Sequence, residues 1–316
     1  MSVVLPTWRR PVGWVRQNLF NSWLNAFLTI AVGWLLIVVL TRALAWAFTR
    51  AEWEIIPANF RLFMVGTYPA SELWRPWLCL LLLALLGGAT AAAWGGAVRR
   101  FVTGQAIAAC ALALIVTGQS RLWLIGCVAA ALIGYASLRR VGRAKRRHLV
   151  VAWVLSFPLM LLLLRGFEGS DVLPTVSTSQ WGGLLLTLVL AAVGIVASLP
   201  IGIVLALGRR SRLGAIRWVC IAYIELIRGL PLISVLFMAQ IMVPIFLPDF
   251  RIDKVLRAMI GFTLFTAAYM AENVRGGLQG VPKGQYEAAA AIGLNGAQAT
   301  FLIILPQALR AVIPAI

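Results

Sequence analysis

The chain has 316 residues, of which 61% are apolar and only 12% charged, with a mean hydropathy of +0.92. A water-soluble domain is nearer half apolar and a quarter charged, so this chain cannot hide its apolar surface in one soluble core and its solvent is largely lipid. The net charge of +18 resembles a nucleic-acid footprint until its placement is considered.

A membrane-spanning helix needs about 20 predominantly apolar residues. Eight stretches qualify: residues 23–41, 77–98, 101–117, 122–138, 149–164, 181–207, 218–247 and 258–274. They are continuously apolar and do not alternate, so helices fit and barrel strands do not. The expected fold is all-α, a polytopic helix bundle with about eight spans. The first stretch, with Ala43-Leu44-Ala45 after it, also fits a signal peptide. Against that, Arg42 lies inside the cleavage region and the leading basic segment is long.

The basic residues sort by connection. Arg9, Arg10 and Arg16 precede the first span, and Arg99 and Arg100 follow the second. Arg139, Arg140, Arg143, Lys145, Arg146, Arg147 and the one histidine, His148, follow the fourth. Arg209, Arg210, Arg212 and Arg217 follow the sixth. These acid-free connections hold over half of the 28 basic residues, whereas the alternate connections mix Arg and Lys with Asp and Glu or, between the third and fourth spans, hold Arg121 alone. The positive-inside rule then places the N-terminus, the basic connections and everything after the eighth span in the cytoplasm. The charge is a topology signal at the lipid surface, and nucleic acid is not an expected partner.

Several chemistries are excluded. None of Lys145, Lys254 and Lys283 follows a glycine, so no phosphate-binding P-loop forms. One histidine supports neither a histidine metal cluster nor a histidine-dependent triad. Cys79, Cys110, Cys127 and Cys220 lie in expected spans without a C-x-x-C spacing and read as small apolar filler.

The sixth span carries Gly194, Ala197, Gly202, Ala206 and Gly208. Such a stripe suits close packing in a dimer of membrane subunits, or reflects only the tolerance of membrane helices for glycine. Charges then enter the spans. Glu225 and Arg228 are three residues apart, as are Glu272 and Arg275, so each pair shares a helix face. Two roles fit these charge-neutral pairs. The arginines snorkel to the interface and the glutamates neutralise them, or the pairs bridge the last two spans as a gate or substrate contact. Arg228-Gly229-Leu230-Pro231 is also expected to break the seventh span, exposing backbone dipoles that suit a zwitterion.

After the eighth span, Pro282 suits a first helical turn, a run of alanines propagates the helix, and Gly293 suits a left-handed cap. A second short helix is expected from about Gly296, stopping before Pro306. Glu287, Ala288, Ala289, Gly293, Ile303, Leu305 and Pro306 fit the pattern E-A-A-x-x-x-G-x(9)-I-x-L-P at every fixed position. This segment resembles the cytoplasmic coupling loop of the membrane subunits, or permeases, of bacterial ABC importers. Gly182-Gly183-Leu184, Tyr223-Ile224-Glu225-Leu226-Ile227-Arg228-Gly229-Leu230-Pro231 and Glu272-Asn273-Val274-Arg275-Gly276-Gly277 resemble those for polar and general L-amino acids.

The resemblance covers residues 181–316 as a permease core, with residues 1–180 as an N-terminal extension of about five spans. It implies an inner-membrane protein that couples ATPase closure to alternating access. Glu287, Ala288, Ala289, Gly293, Leu305 and Pro306 would dock an ATPase dimer. A second permease subunit and a periplasmic or external solute-binding protein are the other implied partners. The chain itself would bind no cofactor, ATP being used by the partner. The resemblance also implies two further spans after Leu305-Pro306-Gln307, so the chain, ending at Ile316, is expected to lack its C-terminal spans. The rival reading is an ion-coupled secondary transporter or channel built on Glu225 and Glu272.

Overall fold

The computed structural model describes residues 11–141, 146–249 and 252–313. Arg9, Arg10, Arg143, Lys145, Arg251 and Ile316 lie outside the described residues. The chain is helical: α1 (Pro11–Leu19), α2 (Trp23–Thr49), α3 (Trp74–Trp94), α4 (Gly96–Ile115), α5 (Gln119–Val141), α6 (Arg146–Arg165), α7 (Gly183–Arg209), α8 (Gly214–Arg228), α9 (Leu232–Phe246), α10 (Lys254–Gly280), α11 (Lys283–Ala291) and α12 (Gly296–Val312). Seven of the described helices are long and apolar enough to cross a membrane, or eight if the bent pair α8–α9 counts as one span.

The compact units are Met1–Phe60 and Arg61–Ile316. In the first, Ser22 caps α2 by accepting the Asn25 N–H at 3.3 Å. None of the residues of α2 is buried, and Trp23, Phe27, Trp34 and Ile37 are all exposed, so its apolar surface runs all the way round, as a lipid-facing helix requires.

In the second unit, α3 and α5 each set a glycine against the other's backbone. A Cβ on Gly88 would lie 1.9 Å from the Ala131 carbonyl oxygen, and one on Gly134 would lie 2.0 Å from that of Leu85. Such small-residue crossings let membrane helices approach closely. Residues 66–176 then fold on one another and on the later helices, Tyr68, Leu164 and Val176 sharing a core with Val189, Val255 and Met259. Gly66 pairs with Trp181 in an isolated bridge, Tyr68 donates its hydroxyl to Leu164 O at 2.8 Å, and the fully buried Arg75 donates to Pro174 O at 2.9 Å. Residue 180 thus divides the chain by family resemblance, while the compact units part at residue 60.

The small residues of α7 face the same chain. Gly194 meets Phe262, Gly202 meets Met270, and Gly208 meets Cys220. The stripe is therefore occupied by α10 and α8, and close packing between subunits is not needed to explain it. The cysteines divide: Cys79 and Cys220 are buried filler, whereas Cys110 is exposed and Cys127 intermediate.

The seventh expected span is not one continuous helix. Its halves, α8 and α9, meet at 105°. Pro231 has no N–H to continue the ladder and sits extended (ψ 142°) as the N-cap of α9, so the chain turns at Gly229-Leu230-Pro231, where the break was expected. Pro158 and Pro200 lie inside α6 and α7, and two further prolines, Pro244 and Pro306, are carried in helices behind π turns. The π-helical stretch Met238–Met242 precedes Pro244, and Thr300–Ile304 precedes Pro306. In each, the residue before the proline bonds five residues back, Val243 N–H to Met238 O and Leu305 N–H to Thr300 O. The wider turn absorbs the missing donor, so the helix expected to stop before Pro306 instead continues to Val312.

The helix α10 starts four residues before its expected apolar run because Asp253 caps it, accepting the N–H groups of Val255 (2.9 Å) and Leu256 (3.3 Å). Burial tends to raise the Asp253 carboxyl. Hydrogen bonds from the Thr178 hydroxyl and these N–H groups, with the charge of Arg165, outweigh it and hold the carboxyl below its ordinary 3.8. A depressed carboxyl contributes stability that is present above 3.8 and lost as pH falls through the folded value. Asp253→Ala is expected to cost about 1 kcal/mol at neutral pH. Thermal unfolding across a pH series should show that deficit shrinking only in the acid range below 3.8.

Candidate functional site

One end of the α7–α8–α10 packing gathers the intramembrane charges. Glu272, on α10, sits at the centre with its side chain 14% exposed. Arg275 grips both its oxygens, Nη2 lying 2.7 Å from Oε2 and Nε 3.1 Å from Oε1. Arg209, the last residue of α7, donates Nη1 to Glu272 Oε1 at 2.8 Å and places Nη2 3.0 Å from Glu225 Oε1. Arg228, the last residue of α8, reaches Glu272 Oε2 at 3.5 Å and lies 5.7 Å from the Tyr269 ring centroid. Arg209 and Arg228 sit in the last turns of α7 and α8, where the helix dipole favours a cation.

Of the two pairs expected from spacing, Glu272–Arg275 forms. Glu225–Arg228 does not: Glu225 turns to Arg209, and Arg228 crosses to Glu272. The cluster is also not charge-neutral, because three guanidiniums face two carboxylates. Arg209 is the residue that sequence reasoning counted only as loop charge. It is the first charge after a long uncharged helix, which is the signal that marked it. Gly229 and Pro231 are exposed at the bend beside the cluster. Both carboxylates needed by an ion-coupled reading are engaged by guanidiniums.

Beyond α10, the coupling segment folds as two capped helices. Gly293 has φ +80°, and Leu294 N–H bonds Ala289 O at 3.1 Å while Gly293 N–H bonds Ala290 O at 3.0 Å. This is the Schellman cap that an Ala-rich helix ending in glycine favours. Asn295 and Gln298 then form a reciprocal capping box for α12, with bonds of 2.9 and 3.0 Å. The turn between the helices is fixed at both sides.

The residues of the motif divide by exposure. Glu287, Ala288, Gly293 and Pro306 are exposed. Ala289 is fully buried, and Leu305 is buried in the core with Ile224, Val274, Leu278 and Ala308. Leu305 holds the segment against the spans, Ala289 lies on the inward side of α11, and the exposed face carries Glu287, Ala288 and the 71% exposed Ile292. Ile292 and Tyr286 are further members of the segment that the fixed pattern does not mark. Gln307 donates to Gln285 at 2.9 Å, tying α12 back to α11.

Residues 198–316 match the family model described as the binding-protein-dependent transport system inner membrane component. The chain is 39% identical over 321 residues to the inner membrane amino-acid ABC transporter permease protein YhdY of Escherichia coli (strain K12), across 96% of this chain and 74% of that protein. It is 35% identical over 342 residues to the glutamate/glutamine/aspartate/asparagine transport system permease protein BztC of Rhodobacter capsulatus, across 96% of this chain and 77% of that one. A shorter similarity, 35% over 154 residues, links it to the glutamate/aspartate import permease protein GltK of Escherichia coli O157:H7, across 47% of this chain and 68% of that one. The first two similarities extend through the N-terminal helices as well as the coupling segment.

Proposed function

The chain belongs to the amino-acid ABC transporter permeases, and from that premise we propose that it moves amino acids inward by alternating access, driven by a separate ATPase. The observation that carries this reading is the coupling segment. The helix α11, closed by the Gly293 cap, presents Glu287, Ala288 and Ile292 outward, while Tyr286 bonds it to the ends of α7 and α10. An ATPase dimer docks on the outer face, and its closure moves α11. The motion reaches the spans through Leu305 and α12, which share the core with α10, and through Tyr286, which packs against that core. The chain performs no covalent chemistry and binds no cofactor, and ATP is consumed on the partner. A second permease subunit completes the pathway, and an external solute-binding protein delivers substrate. The basic connections support a cytoplasmic N-terminus and coupling segment.

The charge cluster lies where the coupling end of α10 meets α7 and α8. In one state it ties three spans together, so it acts as a gate that closes the cytoplasmic end. At the bend the Gly229 and Leu230 N–H groups already bond Glu225 O and Ile227 O, so what Gly229 and Leu230 offer a zwitterionic substrate is their carbonyls, to its ammonium group.

Co-purification tests the docking surface. Gly293→Val forces a β-branched residue into left-handed backbone, a strain of about 1–2 kcal/mol that loosens the cap. That converts to about a tenfold loss of co-purified ATPase subunit. Glu287→Ala should weaken capture without altering the fold. Capture of the ATPase unchanged by both substitutions would contradict docking at this segment.

A further inference from the structure

The dipeptide Arg209-Arg210 ends α7 and faces two ways. Arg209 enters the charge cluster, bonded to Glu272 and Glu225. Arg210 turns to the coupling segment: its Nη1 donates to the Tyr286 hydroxyl at 3.3 Å, and its guanidinium carbon lies 5.9 Å from the Tyr286 ring centroid. Tyr286 in turn donates to Leu278 O at 3.4 Å, so one α11 side chain touches the ends of both α7 and α10. A cavity of about 620 Å³ borders this contact and is lined by Leu207, Arg210, Ser211, Tyr286, Thr300 and Phe301. The contact is thus not locked by close packing and has room to be made and released.

We propose that Tyr286 and Arg210 are the positioning residues that transmit movement of α11 to the gate, the Arg209-Arg210 dipeptide acting as the joint. This rests on the importer reading above. Displacing α11 carries the Tyr286 ring off Arg210. Because Arg210 caps α7, through N–H bonds to Leu207 O and Gly208 O, that displacement reorients the helix end that aims Arg209 at Glu272 and Glu225. Movement of the coupling segment and opening of the cluster are then one event. The physical requirement is a contact whose two arrangements both ends of the path can bias, and a hydrogen bond combined with a cation–π contact at a cavity edge meets it.

The test uses the complete transporter, with its ATPase, second permease subunit and solute-binding protein, in proteoliposomes. The readout is substrate moved per ATP hydrolysed, which a purely structural role would not change. Tyr286→Leu and Arg210→Gln should each lower that ratio roughly fivefold or more. The double variant should be no worse than either single one, since both break one contact. Arg210→Lys keeps a cation over the ring and should restore most of the ratio. Where Tyr286→Leu fails to assemble, Tyr286→Phe keeps the ring, loses the hydroxyl and should still lower the ratio. Wild-type ratios in these variants, or losses that multiply in the double variant, would overturn the proposal. A wild-type complex that moves no substrate with ATP would instead refute the importer reading.

Discussion

Glu272→Ala is expected to lower the unfolding free energy of the purified transporter by about 3 kcal/mol, near the lower end of the range for breaking a buried ion pair. Glu272 answers three guanidiniums at once, and its side chain is only 14% exposed. Without it, Arg209, Arg228 and Arg275 face one another with Glu225 alone to balance them. The arginines are 23%, 36% and 32% exposed, so water relieves part of the repulsion, which keeps the cost at the low end. Glu225→Ala is the informative contrast. Its side chain is 56% exposed and among the described residues pairs with Arg209, so its loss should cost no more than about 1 kcal/mol. Thermal unfolding in detergent separates the two. Equal, small shifts would show that Glu272 is not the centre of the cluster.

Gly202→Val should be comparably damaging by a different route. A Cβ at Gly202 would lie 2.6 Å from Met270 Cβ and 3.1 Å from the Ala271 backbone nitrogen. Met270 is itself 5% exposed and has little freedom to retreat, so α7 and α10 must separate. Overpacking of this kind costs about 1–3 kcal/mol. It also acts at a distance, because Arg209 lies two helical turns further along α7, roughly 10 Å at 1.5 Å per residue. Transport should therefore fall more than stability alone explains. Gly276→Ala serves as the control. A Cβ there meets nothing within 4 Å, so the change should leave stability equal or improve it by about 0.5–1 kcal/mol. If Gly202→Val and Gly276→Ala behave alike in unfolding and uptake, the close α7–α10 contact is not what seats Arg209.

What the sequence made legible follows its local rules. Apolar run length found every long helix, the Gly293 cap sits at the expected residue, and the Gly229-Leu230-Pro231 break lies where proline chemistry puts it. The failures share a cause, which is that tertiary partners are not written locally. Spacing three apart suggested Glu225–Arg228, but the end of α7 brought Arg209 nearer. Pro306 reads as a helix stop unless a π turn before it absorbs the missing donor, and nothing in the residues announces that turn. The glycines of α7 were legible as a close-packing surface, but not whether the partner was another subunit or α10. Tyr286 stands one residue before the fixed pattern, which does not mark it. Its role depends on where α7 ends in space, and spacing along the chain does not give that.

The central claim is that this chain converts ATPase closure into amino-acid import through its coupling segment. Uptake of labelled amino acids into proteoliposomes, with the ATPase and solute-binding protein supplied, tests it most directly. Uptake should require ATP and the ATPase subunit, and should fall about tenfold or more in a Glu287→Ala, Gly293→Val double variant. Uptake driven by an ion gradient with the ATPase absent, or uptake indifferent to those two substitutions, would contradict it.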